Sequence, residues 1–516
     1  MVRMRSLLCS VALYLATVTA IATQEVDNTY FGINDNGNSL VVQSTSGILH
    51  GAVNASAPLV RQWLGVPFAQ APVGSLRFAL PQPLPANASS RHLEVKAFGP
   101  SCPQYESTVP SIYNKIVREF FIWGSSGDDC LSVSIWAPLE PVKEKLPVII
   151  WVYGGGSTTG GSSVPYQNPQ KWVQRTQAHI VVSLQYRLNF FGSPNAPGLN
   201  QNLAFFDTRL ALEWIRDNIA GFGGDPDKMV LWGQSAGATR VGEQSLAYVD
   251  DPIVKGYIQN SGGTYDVRSP YTDTSFKNFT FVANSFGCTG DLANLTACLR
   301  TKPQSDIESF IQYWVDTAQK PPLSFQFLTD NTTTWANGTQ AIITGSYSRL
   351  PKILAHCERD GASLAACSTP DCTLPPLPAL ELAATQRTRC VGVAEARLRN
   401  SLNLTTYRYM YAGNFTNIAP LPWMGAYHSS ELPLIMGTFG DHRGRGTPFQ
   451  SATSQAMQDA YLAFAEDPEG GLAGRGWERY ESGLVQVFGG SENGTEWTER
   501  SVPRDEVEGI CDGYYR

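Results

Sequence analysis

The chain has few charged residues, and its basic residues do not form a consecutive run. Charged residues make up 16% of the 516 residues, the formal net charge is −7, and no stretch of consecutive Lys or Arg occurs. A phosphate-binding surface needs clustered positive charge, so the sequence argues against a nucleic-acid partner. Hydrophobic residues reach 42%, which is enough for a large core and excludes a disordered chain.

Long apolar runs are also missing, apart from one near the amino terminus. Two arginines precede the apolar stretch Leu7–Leu15, and small residues suited to cleavage follow at Ala20 and Ala22. The unbroken stretch is shorter than the roughly 20 residues that span a bilayer. We therefore predict a secretory signal over residues 1–22, a mature extracellular chain of residues 23–516, and no stable membrane anchor.

Asn-x-Ser/Thr triplets, which matter only in an exported chain, are frequent. We treat them as candidate glycosylation sites: Asn54, Asn87, Asn278, Asn294, Asn331, Asn337, Asn403, Asn414 and Asn493. So many triplets need not all be used. Their number nevertheless agrees with secretion.

The sequence also lacks the Cys and His spacing that is typical of a metal site. The sequence has ten Cys, and because Cys9 falls in the predicted signal, an odd number remains and at least one cysteine has no intramolecular partner. Cys367 and Cys372 lie close together, but no Cys or His pair follows at the distance of a zinc site. We therefore expect disulfides, no metal and no cofactor.

Strand and helix patterns alternate through the middle of the chain. The runs "KLPVIIWVYGGG", "AHIVVSLQYR" and "KMVLW" are typical of buried parallel strands, and "NLAFFDTRLALEWIRDNIAGFGG" and "SAGATRVGEQSLAY" of helices. This alternation predicts an α/β fold around a mostly parallel sheet. Beyond about residue 265 the pattern loosens, and we expect insertions around the sheet rather than an independent domain.

A serine between two glycines stands where a predicted strand meets a predicted helix, in "VLWGQSAGATR". The G-x-S-x-G pattern alone is weak, but a sharp turn at this place would lift the Ser235 hydroxyl clear of the sheet. A nucleophilic serine also needs donors for the oxyanion of its substrate. The glycines from Gly154 to Gly156 follow a strand and offer amides without Cβ interference, although a merely flexible loop has the same composition.

Several segments resemble the type-B carboxylesterase/lipase family, which includes the cholinesterases. They are "WLGVPFAQAPVGSLRF", "DDCLSVSIWAP" and "FGGDPDKMVLWGQSAGA", while "DPIVKGYIQNSG" and "GAYHSSELPLIMGT" resemble a fungal subgroup in which Gln replaces the more usual Glu before the serine, as Gln234 does here. The resemblance implies one α/β-hydrolase domain, with helices on both faces of the sheet and insertions around an active-site gorge. It also implies Ser235 as nucleophile and His428 as base, with the amides of Gly155, Gly156 and Ala236 as oxyanion donors.

The same resemblance implies two disulfides, Cys102 with Cys130 and Cys288 with Cys298. It further implies a structural ion pair between Arg77 and either Asp128 or Asp129. The remaining cysteines, whose pairing the sequence leaves open, are Cys357, Cys367, Cys372, Cys390 and Cys511.

The histidine can also be chosen by elimination, because the α/β-hydrolase order of nucleophile, acid and base requires a late one. His50, His92 and His179 come too early, and His356 is a weak rival beside the candidate acid. His442 stands in a charged loop. This leaves His428, among aromatic residues near a Glu, as the preferred base.

The acid is open between two neighbouring carboxylates. The family pattern places Asp360 at the position before a glycine, 68 residues ahead of His428 (428 − 360), and either Asp or Glu can orient an imidazole. Glu358 has the longer side chain. If the segment leaves a strand in extended form, both side chains point to the same side, so direction alone excludes neither.

These residues predict a secreted serine hydrolase that cleaves small-molecule or lipid carboxylic esters through an acyl-enzyme. An esterase, lactonase or acyltransferase of a fungal secondary-metabolite pathway would use the same residues, and only its products would differ. Non-catalytic cholinesterase-like binding proteins usually lack a member of the triad, whereas Ser235 and His428 are both present. The sequence specifies neither the physiological ester nor the oligomeric state.

Overall fold

A computed structural model describes residues 39–196, 198–264, 276–330, 332–335, 338–492 and 495–514. The predicted signal with Cys9 lies outside these residues, as do the triplet asparagines Asn331, Asn337 and Asn493.

The strands fall into two sheets. Their bounds are β1 Val41–Ser44, β2 Gly47–His50, β3 Ala52–Asn54, β4 Ala57–Pro67, β5 His92–Glu94, β6 Ser132–Pro138, β7 Leu146–Val152, β8 Ile180–Leu184, β9 Gly224–Gln234, β10 Gly256–Asn260, β11 Lys352–Cys357, β12 Thr406–Tyr411, β13 Leu484–Glu492 and β14 Thr495–Pro503.

The main sheet of the described residues has eleven strands in the order β14-β13-β12-β11-β10-β9-β7-β8-β6-β4-β3. Every neighbouring pair from β13 through β8 is parallel, and antiparallel pairs occur only towards the two edges. A small sheet of β1, β2 and β5 stands apart from it. The predicted mostly parallel α/β sheet is therefore confirmed.

Helices connect the strands and pack around the main sheet. Their bounds are α1 Ile112–Lys115, α2 Gln170–Thr176, α3 Asn189–Gly192, α4 Leu203–Asn218, α5 Ala236–Ala247, α6 Lys277–Ser285, α7 Leu292–Arg300, α8 Gln304–Asp316, α9 Gly338–Ile343, α10 Gly361–Leu364, α11 Pro378–Ser401, α12 Leu432–Met436, α13 Pro448–Glu466 and α14 Arg504–Glu508.

The central strands are apolar along their whole length because both faces of the sheet are covered. All residues of β7 and β8 are buried, as expected for parallel strands between helical layers. Helix α5 packs on β9 and β10, α13 packs on β7 and β9, and α11 packs on β11. The strands β7, β8 and β9 and the helices α4 and α5 stand where the sequence patterns predicted them.

The expectation for the chain beyond residue 265 was wrong in one respect. This region does not only surround the sheet, since it supplies β11, β12, β13 and β14. Their periodicity was hard to recognise because β12 is "TYRYMY", whose buried arginine and tyrosines do not form a plain apolar run. The burial of such residues depends on partners that are distant in sequence.

Candidate active site

The turn from β9 into α5 carries Ser235. The strand ends at Gln234, the helix begins at Ala236, and Ser235 between them has φ 57° and ψ −124°. A positive φ is unfavourable for a residue with a Cβ, and the Ser235 amide is held by donating to the carbonyl of Asn260 at 2.8 Å. The strand-turn-helix placement expected for the serine is thus present.

The two glycines of the G-x-S-x-G pattern are required by close backbone packing. A Cβ added to Gly233 would lie 2.3 Å from the Gly237 oxygen, and one added to Gly237 would lie 2.1 Å from the Val152 oxygen. Both distances are far shorter than real contacts. The two glycines are therefore needed because the backbone of this turn makes close contacts with itself and with the end of β7.

The triple glycine forms the neighbouring loop after β7. Gly155 has φ 109° and Gly156 has φ 65°, both in the region that favours glycine. A Cβ on Gly154 would lie 2.9 Å from the Cβ of Ser235, so this loop touches the serine directly. Within the described ranges, the N–H groups of Gly155 and Gly156 donate to no protein acceptor.

The first amide of α5, that of Ala236, has no acceptor within its own helix, because the first four N–H groups of a helix lack such partners. Three amides next to Ser235 are therefore available to an oxygen atom of a ligand. They are the amides that the family resemblance implied.

The imidazole of His428 binds the carboxylate of Asp360. Nδ1 of His428 lies 2.7 Å from Oδ1 of Asp360, and the two side chains are almost completely buried. The loops that carry them are joined by a parallel bridge between Arg359 and Tyr427, in which the Arg359 amide donates to the Ala426 carbonyl at 2.9 Å. A backbone contact thus fixes the distance between carboxylate and ring.

The rival acid Glu358 makes no hydrogen bond to this pair among the residues that the structure describes. Strand β11 ends at Cys357, and Asp360 has helical backbone angles as the residue before α10. The segment is therefore not extended through residue 360, so the side-chain alternation of a strand does not apply to residues 358 and 360. Glu358 is exposed, whereas Asp360 is fully buried against the imidazole.

The other histidines lie in different surroundings. His50 and His92 stack on each other at the surface, with ring nitrogens 3.0 Å apart. His179 is buried, and burial together with Arg175 lowers its pKa to about 3. His442 packs edge-on against Trp123 and Tyr166.

His356, the weak rival on β11, is buried beside Arg408, with 3.1 Å between His356 Nδ1 and Arg408 Nη2. Burial, the largest cause, and the positive charges of Arg389 and Arg408 hold its pKa well below the ordinary value. The His356 ring therefore stays neutral, and its contact with Arg408 has a structural role.

Gln234 makes a contact that sequence reasoning missed. Its side-chain Nε2 lies 3.1 Å from Nε2 of His428, the nitrogen on the far side of the ring from Asp360. Both side chains are buried. The only sequence signal was the departure from the usual family residue at this position.

A cavity of about 430 Å³ opens over Ser235 and His428. Its volume is in the range of small-molecule sites. Both aromatic and polar side chains line it; the lining includes Tyr105, Ser107, Ser111, Tyr113, Asn114, Phe120, Phe121, Thr158, Gln167, Val315, Asp316 and Leu364. The cavity therefore offers flat apolar surfaces together with several hydrogen-bonding groups.

Asp316, at the end of α8, holds one wall of this cavity in place through hydrogen bonds. Its carboxylate accepts from the Ser107 hydroxyl at 2.6 Å and from the Thr108 amide at 2.7 Å. Tyr105 lies nearby, and burial, with the negative charge of Asp316 second, raises its pKa to about 12. The phenol therefore remains protonated at neutral pH and can donate a hydrogen bond.

Comparison with known proteins gives the family. Residues 38–375 match the model of the carboxylesterase family. The chain belongs to this family. It is accordingly a carboxylic ester hydrolase with the α/β-hydrolase fold, as the resemblance of its motifs predicted.

Individual relatives are esterases and lipases. This carboxylesterase is 41% identical to a chlorogenic acid esterase of Aspergillus niger over 84% of each chain. It is 38% identical to secreted lipase 5 of Gibberella zeae over 86% of this chain and 88% of the relative. The mouse cholinesterase is 32% identical over 54% of this chain and 46% of its own length.

Behind the site, the carboxylesterase has a buried polar cluster around Glu431. The Cys357 thiol donates to Glu431 Oε2 at 2.9 Å, and Asn260 Nδ2 lies 3.4 Å from Glu431 Oε1. Asn260 also binds the phenols of Tyr409 and Tyr461, at 2.8 and 3.0 Å. Burial raises the pKa values of Glu431 and of the Cys357 thiol.

The cysteines pair more completely than the sequence indicated. Both disulfides implied by the resemblance are present, Cys102–Cys130 and Cys288–Cys298. Two more join Cys367 to Cys372 and Cys390 to Cys511, and Cys357 is the free, buried cysteine of the described residues. The odd count is thus explained by one thiol inside the polar cluster.

Arg77 forms the expected ion pair with Asp128 and not with Asp129. The Arg77 guanidinium donates to Asp128 Oδ2 at 2.6 Å and to the Lys302 carbonyl at the same distance. Arg77 therefore ties the helical region after residue 276 to the loop that contains Cys130.

The triplet asparagines differ in exposure. Those that are exposed are Asn87, Asn294, Asn403 and Asn414, and Asn54 is half-buried. Asn278 is buried, and its side chain donates to the Ser324 carbonyl at 2.8 Å. A glycan at that position would have to break this contact.

No helix in the described part of the chain is long and apolar enough to cross a membrane. Among the same residues, no group of three or more His, Cys, Asp and Glu side chains is arranged to hold a metal ion.

Proposed function

We propose that this carboxylesterase is a secreted serine hydrolase that works through an acyl-enzyme, with Ser235, His428 and Asp360 as its triad. The observation that carries the proposal is the cavity that Ser235 shares with His428, whose Nδ1 is bound to the buried Asp360. The predicted signal over residues 1–22 supports secretion, and so does the relative named a secreted lipase.

Each group has a defined task in this reaction. Ser235 Oγ attacks the ester carbonyl while His428 Nε2 takes its proton, and Asp360 holds the ring and stabilises the imidazolium. The amides of Gly155, Gly156 and Ala236 donate to the oxyanion that forms. His428 then gives the proton to the leaving alcohol, and water, activated by the same imidazole, releases the acid.

We further propose esters of aromatic carboxylic acids as the substrates. The aromatic side chains of Tyr105, Tyr113, Phe120 and Phe121 line the cavity and offer flat faces to a ring. A relative that is 41% identical is named a chlorogenic acid esterase, which agrees with such a substrate.

The experiment compares the parent enzyme with Ser235→Ala and His428→Ala on chlorogenic acid and on p-nitrophenyl esters of increasing chain length. Both variants are expected to remain folded and to lose several orders of magnitude in kcat. The parent is expected to have a higher kcat/KM on chlorogenic acid than on long-chain esters. Near-normal turnover by folded Ser235→Ala would overturn the mechanism, and a preference for long acyl chains would overturn the substrate class.

A further inference from the structure

The side-chain amide of Gln234 contacts Nε2 of His428, the nitrogen that acts as the base in the proposed reaction. Gln234 is 2% exposed and His428 is 3% exposed, so bulk water does not compete for this contact. The distance of 3.1 Å between the two Nε2 atoms is that of an ordinary hydrogen bond. Gln234 is the last residue of β9, and its backbone is therefore fixed by the sheet.

The direction of this hydrogen bond follows from the other side of the ring. An ionised carboxylate only accepts, so Asp360 requires the proton on Nδ1, and the neutral ring then has its lone pair at Nε2. The Gln234 amide must donate to that lone pair. The contact is consequently made with the neutral, base-competent form of His428.

Protonation of the ring would break this arrangement. An imidazolium carries N–H groups on both nitrogens, and the second would face the NH₂ group of Gln234, which is also a donor. The Oε1 atom of Gln234 lies on the side of Gly154, where a Cβ added to that glycine would be 2.9 Å from it, and the Nε2 atom faces the ring. Glutamate at this position would do the opposite and accept from the imidazolium.

We propose that Gln234 is a positioning residue that holds His428 in its neutral form and so extends ester hydrolysis to lower pH than a glutamate would allow. This inference rests on the proposed role of His428 as base. During the reaction the Ser235 hydroxyl replaces the amide at Nε2, because both groups address the same lone pair.

The other titratable groups facing His428 do not supply this effect. Asp360 binds Nδ1, and Glu431 interacts electrostatically with the ring; as carboxylates, both favour the imidazolium when ionised. The Tyr113 phenol binds the His428 backbone carbonyl and stays protonated because burial raises its pKa. Cys357 donates to Glu431, and burial keeps it a thiol. Gln234 is thus the neighbour that favours the neutral ring.

The test measures kcat/KM against pH for a p-nitrophenyl ester with Gln234→Glu, which keeps the side-chain shape. The midpoint of the rising limb is expected to move upward by about one pH unit, since a carboxylate next to a cation-forming group shifts its titration by about this much. Gln167→Glu is the matched control. Gln167 lines the same cavity, but its side chain accepts a hydrogen bond from Trp151 Nε1 at 3.2 Å. The midpoint of the pH profile of Gln167→Glu is expected to move clearly less than that of Gln234→Glu.

Gln234→Met provides a second variant in case the glutamate variant folds poorly. It removes the donor without adding charge, and its midpoint is expected to rise by less than that of Gln234→Glu. A profile of folded Gln234→Glu that coincides with the parent, or a downward shift in Gln234→Met, would overturn the inference. Activity in His428→Ala would instead overturn the proposed function, so the two failures are distinguishable.

Discussion

The phenol of Tyr113 donates a hydrogen bond to the backbone carbonyl of His428 at 2.7 Å. The same oxygen lies 3.0 Å from the Ser363 hydroxyl on α10, the helix that directly follows Asp360. Tyr113 thus connects the two loops that carry the imidazole and its carboxylate. It also lines the cavity above Ser235.

Tyr113→Phe is therefore expected to lower kcat by about fivefold, because the loss of one net hydrogen bond of about 1 kcal/mol loosens the His428 backbone. Steady-state kinetics with p-nitrophenyl acetate measures the effect. Tyr407→Phe is the control, since its buried phenol likewise donates to a backbone carbonyl, that of Glu469 at 2.9 Å. An equal loss of kcat in both variants would contradict a local role for Tyr113.

Asp360→Asn is expected to reduce kcat by a factor of about 10⁴, because an amide at this position favours the wrong imidazole tautomer. Glu358→Gln is expected to stay within about tenfold of the parent, since Glu358 is exposed and makes no hydrogen bond to His428 among the described residues. Purified, folded variants are compared under saturating substrate. The reverse result would make Glu358 the acid.

Glu308 on α8 is expected to make the stability depend on pH. It is 7% exposed, its Oε1 has no hydrogen-bond partner among the described residues, and burial, with the negative charge of Asp128 second, raises its pKa from 4.5 to about 8. A carboxyl whose pKa is raised on folding stabilises the fold fully below the unfolded pKa, and this contribution is lost as pH rises to about 8.

Because glutamine cannot ionise, Glu308→Gln is expected to raise Tm at pH 8 and to change it little at pH 4.5. Thermal unfolding at several pH values between these limits measures the difference. Glu506→Gln, at an exposed position of α14, serves as the control and is expected to show no gain that grows with pH. A gain of equal size at every pH would count against the ionisation of Glu308.

Removing the disulfide between Cys390 and Cys511 is expected to destabilise the protein more than removing the one between Cys367 and Cys372. Their sequence separations are 121 and 5 residues, and the entropy of closing these loops corresponds to about 5 and about 2 kcal/mol. Urea unfolding of the two double-alanine variants measures both losses. A larger loss for the shorter loop would contradict this explanation.

The sequence by itself determined the elements around the nucleophile. The β9–Ser235–α5 turn, the strand β7 and its triple glycine are local features, so apolar runs and glycine positions were sufficient to predict them. The late position of His428 followed from chain order once the fold was expected. The strands β11 to β14 were missed, because their burial depends on residues distant in sequence.

Only the tertiary structure decided how the site is assembled. The sequence left Asp360 and Glu358 open because an extended segment would have aimed both the same way, whereas the backbone turns into α10 at Asp360. The contact between Gln234 and His428 spans 194 residues. No pattern within one segment predicts a contact between residues so far apart in the sequence. The contact depends on how separate segments pack together at the ends of the parallel strands.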